Sequence, residues 1–140
     1  MAAHRRHRLI EIDWPEFGEP QTPPRIPKEE YSARLAATRS AMAAQGLSHL
    51  VVYADREHFA NLAWLTGFDP RFEEAVLIVG PGGAEKPLIL VGNECRGYLQ
   101  VSGLYALGEL RMECYQPLSL LDQPRDTSRE LSEILAGEGI

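Results

Sequence analysis

The sequence predicts an α/β fold, and three observations carry that reading. Residues 28–45 place Tyr31, Leu35, Thr38 and Met42 at helical spacing between Pro27 and Gly46. Two apolar runs without polar alternation, Ala75–Val79 and Pro87–Val91, read as buried strands. Gly80-Pro81-Gly82-Gly83-Ala84 lies between them and turns the chain, so the pair reads as an antiparallel hairpin with a long turn.

The remaining elements follow in order. Residues 8–14 partly alternate and read as a short strand or an extended arm. Pro15, Pro20, Pro23, Pro24 and Pro27 make residues 15–27 an extended connector, because proline fixes φ and removes the backbone donor. Residues 1–27 are therefore an arm and connector, and residues 28–140 one domain. Pro27 suits the first turn of the helix, and Glu29 and Glu30 complement its dipole. Gly46 is its stop.

His49–Tyr53 is apolar enough to be a strand buried on both faces. Asp55 is placed to cap a short second helix with Phe59, Leu62 and Ala63 on its apolar stripe and Gly67 at its end. Pro70 pushes Asp69 out of the helical region, so a loop follows. Residues 72–79 then form a strand whose apolar end is central in the sheet. Residues 94–107 read as a helix or an irregular layer, Leu110–Tyr115 as a strand and 117–125 as a loop. Thr127-Ser128-Arg129-Glu130 reads as a capping box opening a helix with Leu131, Ile134 and Leu135 inside and Gly137 at its close. Ile140 stands where a further strand would begin, so the natural chain is expected to continue beyond it.

Composition narrows the function. With 140 residues, 44% of them hydrophobic, the chain can bury a real core. A net charge of −6 argues against a nucleic-acid surface, which needs clustered basic groups. The basic run His4–Arg8 is followed at once by Glu11 and Asp13 and reads as a solvated arm. Cys95 and Cys114 lack CxxC spacing and histidine partners, so no zinc site is expected. A reducing cytoplasm is the default location. No segment reaches the ~20 apolar residues of a membrane span, and the N-terminus has no apolar signal core.

Several motifs bear on chemistry. Gly80–Gly83 lacks the third glycine and following helix of a dinucleotide loop, so a hairpin turn is preferred. Asp69, Glu73 and Glu74 have no histidine close by, and a base such as Arg71 can simply pair with one of them. His58 and Asn61 share a helix face, but no nucleophile is marked beside them. No residue of this chain is read as catalytic or as a metal ligand. Trp64 is expected in the core. Phe68 and Arg71 flank the proline loop, where an aromatic face and a guanidinium can reach outward as a clamp for a peptide or carboxylate. Core packing with a surface salt bridge is the alternative reading of that pair.

Several features occur together in order. They are Arg34-Leu35 and Met42 before Gly46-Leu47, the strand Leu50-Val51-Val52, the run Asn61-x-x-Trp64-Leu65-Thr66-Gly67-Phe68, and Glu74-Ala75-Val76-Leu77 before Pro87–Val91. Over residues 28–92 this resembles the N-terminal domain of the creatinase, prolidase and Xaa-Pro aminopeptidase family, the pita-bread metallohydrolases. Trp64 stands where that family usually has tyrosine. The resemblance implies a mixed β-sheet flanked by helices, a ribonuclease H-like layer. It implies a domain that is itself non-catalytic and assembles a homodimer or tetramer. A C-terminal catalytic domain is implied to follow, with two Asp, one His and two Glu holding two divalent ions (Mn, Co or Zn) that activate a water. None of those ligands maps onto this chain, which alone is expected to be inactive. By position, Phe68, Arg71 and Tyr98 are implied at the rim of the substrate pocket, for an Xaa-Pro dipeptide, a longer peptide or a creatine-like amidino compound. The other reading is a stand-alone α/β module binding a ligand or protein, with no phosphate loop for nucleotides.

Overall fold

Pro27 has extended backbone, and its carbonyl accepts the amide of Glu30 at 3.2 Å, opening helix α1 (Lys28–Ala44). The computed structural model describes residues 8–19, 25–82 and 85–140. Tyr31, Leu35 and Met42 are the buried face of α1. Gly46, at φ +70°, closes it: the amides of Gly46 and Leu47 reach back to Ala43 and Met42, satisfying carbonyls that the helix leaves open.

Four strands follow: β1 (Leu50–Ala54), β2 (Ala75–Val79), β3 (Leu88–Val91) and β4 (Arg111–Cys114), in sheet order β1-β2-β3-β4. β1 and β3 both run antiparallel to β2, while β4 runs parallel to β3. Parallel neighbours need a crossover. It is made of short helices: α3 (Cys95–Tyr98), a 3-10 turn (Leu99–Val101) and α4 (Gly103–Ala106). Residues 94–107 are thus the helical, irregular layer expected. The fold is α/β, a mixed sheet with helices on both faces.

Side chains alternate across the sheet and divide the core. Ala75, Leu77, Val79, Ile89 and Val91 pack with Tyr31, Leu35, Leu62, Phe68 and Leu104 from the helices of one face. Ile78, Leu88 and Leu90 pack on the other face with Ile134 of helix α5 (Leu131–Gly137). Covering on both faces explains why β2 and β3 show no polar alternation. Arg39 of α1 braces the hairpin, donating from Nε to the Gly80 carbonyl and from Nη2 to that of Glu85.

The structure corrects some local expectations. β1 is not buried on both faces; it is an edge strand with Val51 and Tyr53 half-exposed. The cause lies in α5. Arg111 of β4 pairs with Glu138 at the end of α5, and Arg129 just before α5 pairs with Glu113 of β4. These bidentate contacts hold α5 over the β3–β4 side.

Asp55 does not cap the second helix, α2 (Ala60–Thr66), whose N-cap position is Phe59. Its carboxylate accepts the amides of Glu57 and His58 at 2.8 and 2.7 Å, closing a turn ahead of the helix. The His58 ring first, then those amides, hold the Asp55 carboxyl below its ordinary range. The capping box also moves. α5 starts at Leu131, and the Glu133 carboxylate accepts the Glu130 amide at 3.2 Å. Thr127 is occupied elsewhere: its amide and hydroxyl donate to the side-chain oxygen of buried Gln116.

Residues 8–14 form no strand, and Leu9, Ile10, Ile12 and Trp14 are exposed. Residues 4–7 of the basic run, 20–24 of the connector, and Gly83 and Ala84 lie outside the described residues.

Candidate functional site

The Asn61–Phe68 run folds into a helix end that sets the direction of the next loop. Gly67 stands at φ +69°, a conformation that a side chain disfavours, and its amide closes α2 on the Ala63 carbonyl at 2.7 Å. Buried Thr66 donates its hydroxyl to the Leu62 carbonyl at 2.8 Å and accepts the Phe68 amide at 3.1 Å. The Thr66 carbonyl accepts the hydroxyl of buried Ser102 at 2.6 Å, and Ser102 in turn caps α4 by accepting the Tyr105 amide. The Tyr31 hydroxyl lies against Gly67 and Gly103, where no Cβ would fit without displacing it. Leu-Thr-Gly-Phe therefore has a steric reason at each place: Leu65 and Phe68 fill core, Thr66 satisfies buried backbone, and Gly67 turns it.

The loop beyond is held at both ends. Phe68 is fully buried at its start. The Asp69 carboxylate accepts the Arg71 amide at 2.8 Å, and Arg71 takes φ +58° within that turn. The Pro70 carbonyl accepts the Phe72 amide at 2.8 Å. At the far end, buried Glu73 turns inward and accepts the amides of Cys95 at 2.8 Å and Glu94 at 3.2 Å. Gly92 makes room for this carboxylate: a Cβ there would stand 2.7 Å from either oxygen. The Cys95 thiol donates to the Pro70 carbonyl at 3.3 Å. Burial first, then the Glu73 carboxylate, push that thiol far above its ordinary range.

Between these anchors Arg71 and Phe72 face outward. The half-buried Tyr98 ring bridges core and surface, 5.8 Å from the Phe68 ring centroid and 6.3 Å from that of Phe72. Such tilted pairs are attractive beyond their burial. A groove of about 370 Å³ adjoins Phe72 and runs beside residues 117–121. Arg125 ties that segment down by donating to the carbonyls of Pro117 and Ser119.

Arg71 is thus exposed and Tyr98 half-buried. Phe68 itself does not reach outward, which corrects the expectation that it flanks the loop as an exposed aromatic. Phe72 takes the outward place, being half-exposed. Trp64 is also corrected: it is 48% exposed, with the Arg34 guanidinium 5.3 Å above its ring and Arg34 Nη1 donating to its carbonyl. Asp69, Glu73 and Glu74 do not act as a cluster. Asp69 closes a turn, Glu73 clamps α3, and Glu74 is exposed. Among the described residues no three His, Cys, Asp or Glu side chains stand together as metal ligands. The groove and the inward turn of Glu73 had no visible signal in the sequence, since each depends on residues some 20–50 positions away.

No family model matches the chain, and no curated protein matches it. Among solved structures it is similar to a dipeptidase PepE from Mycobacterium ulcerans, with 25% identity and a TM-score of 0.49 over 65% of this chain and 24% of the other. It is also similar to the creatinase/prolidase-like N-terminal domain of a presumed metallopeptidase from Corynebacterium diphtheriae, with 15% identity and a TM-score of 0.47 over 61% of this chain and 60% of the other. The match thus spans about a quarter of the dipeptidase and three fifths of the domain. Both TM-scores lie below 0.5, so the fold assignment stands on the sheet's own register and not on these superpositions.

Two outcomes follow from this geometry. Gly67→Ala is expected to cost ~1–2 kcal/mol for the left-handed backbone and a further ~1–3 kcal/mol for crowding the Tyr31 hydroxyl, read as a lower midpoint in urea unfolding. A midpoint equal to wild type would remove the steric role of Gly67. In thiol labelling at pH 8, Cys95 stays protonated and sealed, so the native chain should lose only Cys114 to an alkylating reagent. Cys95 should react after denaturation. Fast native labelling of Cys95 would contradict the clamp around Glu73.

Proposed function

We propose that this chain is a non-catalytic N-terminal domain of a creatinase/prolidase-type hydrolase, acting in assembly and in completing a substrate pocket. The observation that supports it best is the row Phe68–Tyr98–Phe72 running from core to surface beside outward Arg71. A rigid aromatic wall suits a proline ring or an apolar side chain. A guanidinium beside it can grip a substrate carboxylate with paired N–H donors. Phe68 supports that wall from behind, while Tyr98, Phe72 and Arg71 present it.

In this reading the hydrolytic chemistry belongs to a catalytic partner domain of the same protein. That domain would hold the two divalent ions (Mn, Co or Zn), which supply an activated water and polarise the scissile carbonyl. The described residues of this chain do not fit that role, because their carboxylates are dispersed and engaged with backbone. Its own contribution is binding and orientation at the rim, for an Xaa-Pro dipeptide, a longer peptide or a creatine-like amidino compound. The working unit is a homodimer. Two free cysteines suit a reducing cytoplasm, and no helix among the described residues is long and apolar enough to cross a membrane.

The test uses both forms of the protein. The 140-residue chain alone should show no metal-dependent Xaa-Pro hydrolysis. In the full enzyme, Arg71→Ala should lower kcat/KM by roughly tenfold to a hundredfold, the loss of a hydrogen bond to a charged group worth ~1.5–3 kcal/mol, with the melting temperature unchanged. Unchanged kinetics would remove Arg71 from the site. A saturable small ligand for the isolated chain would favour a stand-alone binding module instead.

A further inference from the structure

Strand β1 ends the sheet: it pairs with β2, and among the described residues no strand pairs with its outer side. An unpaired edge presents a row of backbone donors and acceptors that invites another strand. Its side chains on the face left open by α5 are Val51 and Tyr53, 50% and 47% exposed. A groove of about 380 Å³ follows this edge, bordered on the helix side by Thr38, Asn61 and Trp64.

The chain also carries a strand-like segment that pairs with no strand among the described residues. In Arg8-Leu9-Ile10-Glu11-Ile12-Asp13-Trp14, Ile10, Ile12 and Trp14 alternate with Glu11 and Asp13. Ile10, Ile12 and Trp14 are 62%, 71% and 87% exposed, so the arm does not lie on its own chain's edge. Large apolar groups left in water at a terminus, beside an uncovered apolar edge on the same molecule, call for a common explanation.

We propose that residues Arg8–Trp14 of one copy pair antiparallel with β1 of a second copy as a fifth strand, in the register that sets Ile12 opposite Val51. That register sets Ile10 opposite Tyr53, joining apolar side chains on the open face. It sets Arg8 opposite Asp55, with opposite charges, and Trp14 opposite His49. Leu9 then falls on the helix side opposite Ala54, with Glu11 towards Thr38 and Asn61. The parallel arrangement with the same apolar contacts would bring Arg8 against His49 and Trp14 against Asp55, which loses the charge complement. A shift by one residue would put Glu11 and Asp13 on the apolar face. A connector of the length of residues 15–27 could span at most roughly 40 Å, enough to cross to a neighbour. Each copy gives one arm and receives one, so the exchange closes as a two-fold dimer. This names the surface for the self-association proposed above. It rests on that part of the reading alone and needs nothing of the hydrolase.

The experiment mixes a variant carrying Ile12→Cys with one carrying Val51→Cys, under mild oxidation, with each variant alone as the baseline for Cys95 and Cys114. A disulfide-linked dimer well above baseline is expected. Leu9→Cys mixed with Val51→Cys, on opposite faces, should stay at baseline. In sedimentation, Ile10→Lys with Ile12→Lys should weaken the dimer at least tenfold. The helical circular dichroism signal should not change, because every helix of the described residues begins at or after Lys28. A dimer that survives those lysines, or that gives no crosslink, would overturn the arm exchange while leaving self-association standing. A monomer at all concentrations would overturn both. A chain carrying both Ile12→Cys and Val51→Cys that closes a disulfide within a monomer would show the arm folding back on its own edge, which also overturns the exchange.

Discussion

The structure depends on the carbonyl of Thr66. A helix end buried under other helices leaves backbone groups with no water to satisfy them, and each unmet group costs ~1–3 kcal/mol. Here named side chains serve that end. The Thr66 hydroxyl bonds backward to Leu62 and accepts from Phe68, and its carbonyl receives Ser102. Ser102 then starts α4, the last piece of the crossover that allows β4 to run parallel to β3. Tyr31 brings α1 to the same point, against Gly67 and Gly103. One polar junction in an apolar layer thus joins three helices and fixes where the sheet's final strand begins.

The loop that leaves this junction gains its shape from a second polar anchor. Glu73 has no basic partner among the ion pairs of the described residues; the amides of Glu94 and Cys95 take its charge instead. The absence of a side chain at Gly92 is what lets the carboxylate turn in. With Phe68, Pro70 and Glu73 all buried, Arg71 and Phe72 are the two residues of the loop left to face outward. A positive φ at Arg71 costs of order 1–3 kcal/mol and persists only because the surroundings over-determine it. An outward arginine and phenylalanine on so constrained a loop are preorganised, which supports the substrate-positioning role proposed for them.

What could be read in the sequence divides by the range of the interactions. β2 and β3 were legible because residues buried on both faces leave no polar alternation, a local signal. The ends of α1 and α2 were legible because Gly46 and Gly67 act through their own backbone. β1 was misread as doubly buried, since its cover depends on where Arg111 and Arg129 hold α5, far along the chain. Trp64 was misread as core because aromatic identity does not reveal that Arg34, on another helix, covers its ring. Thr127-x-x-Glu130 and Glu130-x-x-Glu133 both fit a capping pattern, and the choice was made by Gln116 engaging Thr127. For the site, Pro70 made the outward Arg71 legible. The exchange of roles between Phe68 and Phe72 was not, because it follows from the inward pull of Glu73 by amides more than twenty residues away.

The most direct test of this account is a double-mutant cycle on Thr66→Val and Ser102→Ala, read by urea unfolding of the 140-residue chain. If both side chains serve one buried peptide junction, their effects should be non-additive by ~0.5–3 kcal/mol. Additivity within ~0.5 kcal/mol would mean that the two hydroxyls stabilise separate ends and that no single junction organises the fold.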